Sequence, residues 1–274
     1  MASFDFDQAE GLRRMLQGSR PRVVTFLSST PEDDKGAMLV NLGASLAQAG
    51  NEVTIVDACI NEYGVARRLG LNRSASLLQV ARQECGLNQV IHPAPQGFSV
   101  VPMGAAQNAD DVRRLGKTFE VLASQTGIVI VDGELGPDES FPVALMDSAE
   151  IVVQVSTSAT SITNAYSLIK RLSQQLGRRP FGILVTGATE AGARVVYDNM
   201  AAAASRYLGV KLISMGSVPA DECLHRAARL GRSVVDAFPM AGASVAFREL
   251  AGKFGMHAMP QFARQGASSA RVGA

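Results

Sequence analysis

The chain has 274 residues, 47% of them hydrophobic and 19% charged, a balance that suits a globular protein and excludes a mostly disordered one. Its formal net charge of +1 excludes a global field that would draw it onto nucleic acid or membrane. Cys59, Cys85 and Cys223 form no C-x-x-C pair and histidine is scarce, which argues against a zinc site or disulfide framework and for a reducing, cytoplasmic compartment.

The N-terminus carries Asp5, Asp7 and Glu10 where a signal peptide needs an apolar run. No stretch approaches the ~18 apolar residues of a membrane span. Residues 1–17 read as a separate helical piece. Asp7 and Glu10 have the spacing of a capping box, in which the Asp oxygen accepts from free amides and the Glu reaches back. Ala9, Leu12 and Leu16 then share one helical face. Gly18 to Pro21 stops the helix, so 18–22 is expected to be a short linker.

From residue 23 onward, apolar runs of strand length alternate with amphipathic stretches of helix length. The predicted strands are 23–27, 53–56, 98–101, 128–131, 151–155, 182–185 and 212–215, near-continuous in Val and Ile as in strands buried on both faces. The predicted helices are 36–49, 74–84, 108–125, 158–176, 190–207, 220–230 and 242–254. This alternation implies an α/β fold over residues 23–255: a doubly wound, mostly parallel sheet with helices on both faces. In the last predicted helix Phe247, Leu250 and Phe254 share a face beside Arg248 and Lys253. Core packing explains that face, and a membrane interface is the alternative. Residues 256–274, with Pro260, small residues, two arginines and no acid, read as a flexible tail.

Ligands of doubly wound sheets bind outside the carboxyl ends of the strands. After the first strand comes Ser28-Ser29-Thr30-Pro31-Glu32-Asp33-Asp34-Lys35-Gly36. This is the strand–loop–helix setting of a phosphate-binding loop. That chemistry needs glycines whose amides curl around phosphates, a Lys that contacts them, and a following Ser or Thr on Mg²⁺. Lys35 stands where that Lys belongs, but no glycine precedes it in the loop and Gly36 takes the hydroxyl position. Glu32, Asp33 and Asp34 would face the phosphates. Like charges at ~4 Å repel by about 4 kcal/mol at an effective dielectric of 20, more than a helix dipole of about 0.3–1 kcal/mol offsets. Two readings follow: a solvated acidic turn with Asp33 or Asp34 capping the next helix, or an altered nucleotide site with Mg²⁺ partly neutralising the acids. Asp57 and Asp132 end strands at the same edge, where each could hold a metal–nucleotide complex or cap the following turn.

The chain resembles the MinD/ParA group of deviant-Walker P-loop ATPases, and within it the FlhG/FleN regulators of flagellar number and placement. The most specific match is Asp7-Gln8-Ala9-Glu10-Gly11-Leu12-Arg13, similar to the family's DQAxxLR motif. Asn41-Leu42-Gly43, the segment Ser161-Ile162-Thr163-Asn164-Ala165-Tyr166, and Val218-Pro219-Ala220-Asp221 resemble further family segments. The resemblance implies that Asp7, Gln8, Leu12 and Arg13 bind an FlhF-type GTPase of the signal-recognition class, with Gln8 inserted near its active site. It implies ATP and Mg²⁺ at Lys35, Gly36, Asp57, Asp132 and Thr186, with Asp57 and Asp132 toward the metal. Flagellar basal-body components or transcriptional regulators are further implied partners, at the inner membrane or cell pole.

The departures concern catalysis. Aligned on Lys35, the family's cross-dimer lysine becomes Thr30 and its Mg²⁺ hydroxyl becomes Gly36. Its DxD becomes Asp57-Ala58-Cys59, and its adenine-contacting Asn becomes Thr186. Lys35, Asp57 and Asp132 are what would carry any remaining activity. The expected function is therefore a partner-binding regulator with weak or absent ATPase activity. The alternative is an active ATPase switch between monomer and membrane-bound dimer. A DNA-segregation role is disfavoured by the near-neutral charge and the absence of a basic stripe.

Overall fold

The structure is a computed structural model that describes residues 21–59, 64–71, 75–136, 141 and 149–254. The expected helix 1–17, with Asp7, Gln8, Leu12 and Arg13, and the tail 256–274 lie outside the described residues.

Eight strands form one sheet: β1 (Arg22–Ser28), β2 (Val53–Asp57), β3 (His92–Pro93), β4 (Ser99–Pro102), β5 (Ile128–Asp132), β6 (Glu150–Val155), β7 (Phe181–Thr186) and β8 (Leu212–Val218), in the order β3-β4-β2-β5-β1-β6-β7-β8. All pairs are parallel except β3 with β4. The fold is the doubly wound α/β sheet expected from the strand–helix alternation. Its strands are nearly all buried along their length, which is why their sequences run apolar without alternating.

The helices are α1 (Lys35–Gln48), α2 (Val65–Arg68), α3 (Leu77–Ala81), α4 (Ala109–Ser124), α5 (Ala159–Leu176), α6 (Glu190–Ala203), α7 (Glu222–Arg229), α8 (Val234–Ala237) and α9 (Gly242–Phe254). The longer ones start where a side chain accepts from their first free amides: Asp34 for α1, Asn108 for α4, Ser158 for α5, Thr189 for α6 and Asp221 for α7. On one face of the sheet, α1, α8 and α9 pack on the inner residues of β1, β2 and β5. On the other face α5 and α6 cover β6 to β8, and α3 and α4 cover β2, β4 and β5.

The one-turn helices α2 and α8 and the two-residue edge strand β3 are too short to leave a periodic signal. The stretch expected as helix over 190–207 ends as α6 and continues in a π-turn, Ala204–Leu208, closed by Gly209 at φ 62°. Phe247, Leu250 and Phe254 are 1–2% exposed in the core beneath α1. Of the two readings of that face, core packing is the one observed. No described helix is long and apolar enough to cross a membrane.

Arg22 ties the first strand to the last helix. Its guanidinium donates to Glu150 at 2.9 and 2.7 Å, a two-pronged pair, and to the carbonyl oxygens of Lys253 and Phe254 at 3.2 and 2.7 Å. It also lies 5.2 Å from the Phe254 ring centre. Because Arg22 is 9% exposed, its removal leaves a carboxylate stranded at the base of the sheet. Arg22→Met is expected to lower stability by about 3–5 kcal/mol, and Arg22→Met with Glu150→Leu to recover most of that. Denaturant midpoints of the single and double variants check the coupling.

On the other face, Arg82 donates to Asp111 at 3.0 and 2.7 Å, and the Gln107 amide donates to the same carboxylate at 3.0 Å, joining α3 to α4. Arg82 first, then Gln107, hold the Asp111 carboxyl down at about 2. A carboxylate depressed by folding contributes stability that is complete above its unfolded value near 3.9 and is lost as pH falls toward the folded one. Unfolding scans between pH 5 and 2 are expected to show an acid-side loss of stability that is shallower in Asp111→Asn.

Candidate functional site

The carboxyl ends of β1, β2 and β5 meet where a phosphate loop would lie. Lys35, the first residue of α1, turns its side chain back into the sheet edge. Its Nζ is 2.7 Å from Asp132 Oδ1, donates to the carbonyl oxygens of Gly133 and Phe26, and lies 3.7 Å from Cys59 Sγ. Asp132 is fully buried, and the Lys35 side chain is 12% exposed. Burial by itself would lower the lysine's pKa. The Asp132 charge, with Cys59 and Glu134, outweighs burial and leaves it raised, so the amine stays charged.

The strand-end carboxylates are held by a helix start. Asp132 Oδ2 accepts from the Val65 amide at 2.9 Å, and Asp57 accepts from the Ala66 amide at 2.8 Å and from the Cys59 amide at 3.0 Å. Val65 and Ala66 are the first two residues of α2, whose free amides and positive end suit carboxylates. Gly64 precedes them because nothing larger fits. A Cβ there would come within 2.5 Å of an Asp57 oxygen. Asp57 therefore acts as a cap, one of the two roles its position allowed.

The acidic loop is solvated only in part: Asp34 stays exposed and caps the next helix, as the first reading allowed, whereas Asp33 is buried. Pro31–Asp33 forms a single 3-10 turn, and Asp34 follows at φ 46° as the cap of α1, accepting from the Ala37 amide. Asp33 points inward at 9% exposure, where its carboxylate accepts from Ser28 at 3.1 Å and from Ser161 at 2.8 Å. Its carbonyl accepts from Gln154 Nε2. Asp34 forms an ion pair with Arg68 at the surface. Asp33 and Asp34 are thus engaged by the domain itself, whereas the buried hydroxyls of Ser29 and Thr30 have no hydrogen-bond partner. Gly36 is buried beside Lys35 and offers no hydroxyl.

A metal at this edge can be tested against its donors. Ligand atoms of Asp57, Cys59 and Asp132 lie within 4.8 Å of one another. Mg²⁺ requires near-octahedral oxygen donors. Here one carboxylate is taken by backbone amides, the other by Lys35, and the third group is a thiol that burial pushes far up and that keeps its proton. The Lys35 ammonium stands where a cation would stand, and the donor set does not fit Mg²⁺.

Beside the loop a cleft of about 560 Å³ opens between α1 and α7. Gln154 and Thr186 lie at its strand-end floor, with Met38, Leu69, Pro219 and Phe247 among its walls. Thr186 accepts from Gln154 at 3.2 Å. The structure thus brings Lys35, Gly36, Asp57 and Asp132 together at one strand-end cluster and sets Thr186 apart in the cleft. Cys59, Gln154 and Ser161 complete the surroundings. The one signal for Gln154 was a lone amide in the apolar run 150–155.

No family model matches the chain. Its fold is like that of MinD from Aquifex aeolicus, with a TM-score of 0.66 and 19% identity over 87% of this chain and 98% of that one. It is also like that of MinD from Pyrococcus horikoshii complexed with Mg-ADP, with a TM-score of 0.61 and 16% identity over 85% and 95%. The chain has the P-loop NTPase fold of the MinD/ParA group. In sequence it is similar to the antiactivator FleN of Pseudomonas aeruginosa, 29% identical over 228 residues and 81% of each protein.

If Lys35 and Asp132 form a unit, removing one charge strands the other. Lys35→Met is expected to destabilise by about 3–5 kcal/mol. Lys35→Met with Asp132→Asn is expected to regain most of the loss, since Asn can still accept from Val65. Urea titrations of the single and double variants read this.

Proposed function

We propose that the chain is a regulator of flagellar number and placement that works by binding partners, with weak or absent ATP hydrolysis. The supporting observation is the way the strand-end cluster holds Lys35. Lys35 is held by Asp132 and two carbonyl oxygens, and the preceding loop has no glycine to present amides to a phosphate. A polyphosphate would have to displace a buried ion pair beside a loop rich in acids. The similarity to FleN supports the flagellar setting. The segment Asp7-Gln8-Ala9-Glu10-Gly11-Leu12-Arg13 supports an FlhF-type GTPase as partner, with Asp7, Gln8, Leu12 and Arg13 at the contact.

In this reading the α/β domain is a scaffold and the N-terminal segment is the effector. Gln8 would help position the attacking water or stabilise charge in the partner's site, an effect delivered in trans. The alternative, an ATP-driven switch, needs Lys35 to leave Asp132 for a phosphate.

The test is GTP hydrolysis by a purified FlhF-type GTPase with the full chain, with a peptide of residues 1–20, and with Gln8→Ala. Stimulation by the first two is expected, falling about tenfold in the variant. No ATP hydrolysis is expected from the chain at millimolar Mg-ATP. Unchanged GTP hydrolysis without binding would overturn the partner role, and turnover of ATP would favour the switch.

A further inference from the structure

The amino-terminal edge of the sheet, opposite the strand-end cluster, carries cations that no described carboxylate answers. Residues 151–220 hold seven Lys or Arg against two acids, Glu190 and Asp198. Glu190 opens α6 at the other edge, and Asp198 lies 3.9 Å from Arg194. The sequence shows no basic stripe because these cations are spread along the chain, but the fold gathers four of them. Arg178 lies in the turn before β7 with its guanidinium against Gly209, where an added Cβ would stand 3.4 Å from its Cζ. Arg206 belongs to the π-turn that Gly209 closes. Lys211 precedes β8, and its carbonyl accepts from the Phe181 amide at 3.1 Å. Lys170 is on the outer side of α5, which packs against the π-turn.

All four are exposed, and among the described residues none of them forms an ion pair. Glu150, at the same edge, is taken by Arg22. Tyr207 stands beside them 68% exposed, with the Arg206 guanidinium 5.3 Å from its ring centre. Clustered like charges repel and attract an opposite one, and single π-turns are frequent at functional sites. The surface suits an acidic segment that also carries aromatic rings.

The chain itself supplies one. Strands β1, β6, β7 and β8 are parallel neighbours, so Pro21 enters β1 at this same edge. Residues 1–12 contain Asp5, Asp7 and Glu10, the rings of Phe4 and Phe6, and no Lys or Arg. At ~4.8 Å per strand, β7 and β8 lie about 10 and 14 Å from β1, while residues 13–20 can span up to ~27 Å. We propose that residues 4–10 dock on this surface of their own chain, with the three acids facing Arg178, Arg206 and Lys211 and a phenylalanine against Tyr207. Docking withholds Gln8 from a partner until the partner or salt displaces the segment. The docking stands on the charges alone, and its regulatory meaning rests on the reading of residues 7–13 as the partner contact.

Limited tryptic digestion of the full chain, read by mass spectrometry at Arg13, Arg14 and Arg20, tests the docking. At low salt these sites are expected to be cut about fivefold more slowly than in the double variant Arg178→Glu, Lys211→Glu, and about 0.5 M NaCl is expected to bring the unaltered chain up to the variant. Asp5→Asn with Glu10→Gln, outside the α/β domain, is expected to speed cleavage likewise, which keeps the test open if the domain variant fails to fold. Equal cleavage of all three chains at low salt would overturn the proposal, and loss of retention on anionic lipid vesicles or on oligothymidylate in the domain variant would then name the occupant instead. GTP hydrolysis by the FlhF-type enzyme reads the consequence. At low salt the peptide 1–20 is expected to stimulate more strongly per mole than the full chain, and the domain variant to close that gap. A gap that the variant leaves unchanged would overturn the regulatory role. No stimulation by the peptide removes the partner reading alone, since the digestion decides the docking.

Discussion

The ion pair between Lys35 and Asp132 organises the working edge of the molecule. A lysine at a helix start, buried against a fully buried aspartate, is favourable only where the geometry is close and the remaining donors are met. Both conditions hold here. The pair is 2.7 Å apart, and the Gly133 and Phe26 carbonyl oxygens take other directions of the ammonium. The second oxygen of Asp132 is occupied by the first amide of α2. The pair therefore links β1, β5, α1 and α2 at one point.

This arrangement bears directly on chemistry. A phosphate loop works because glycine amides and a lysine are free to point outward at a charged ligand. In this chain Lys35, the Asp33 carboxylate and the Asp33 carbonyl all point inward, to Asp132, to Ser28 and Ser161, and to Gln154. An ammonium fixed among Asp132, Cys59 and two carbonyls is a poor phosphate contact until those interactions break.

The frame around the site is held from its opposite end. Arg22 joins the start of β1 to Glu150 and to the last carbonyls of α9. Phe26 and Phe254 pack with ring centres 5.6 Å apart beneath α1. The final helix is thus part of the core that backs the cleft, which is why Phe247 appears both in that core and in the cleft wall.

The sequence by itself determined the α/β alternation, the positions of the long strands and helices, and the placing of Lys35, Asp57 and Asp132 at strand or helix ends. Continuous Val and Ile runs and 3.6-residue periodicity report burial, and burial dictates those elements locally. It did not reveal α2, because one turn leaves no period, and so could not show that the Val65 and Ala66 amides take the two carboxylates. It left Asp33 and Asp34 as interchangeable acids, either of which could cap the next helix or face a nucleotide. Only the tertiary structure separated them, burying Asp33 against Ser161, 128 residues away, while Asp34 stayed outside with Arg68. The direction of Lys35 was likewise undecided by sequence. Whether a charged side chain points to solvent or inward depends on which distant backbone groups lie within reach, and that is decided when β1, β2 and β5 come together.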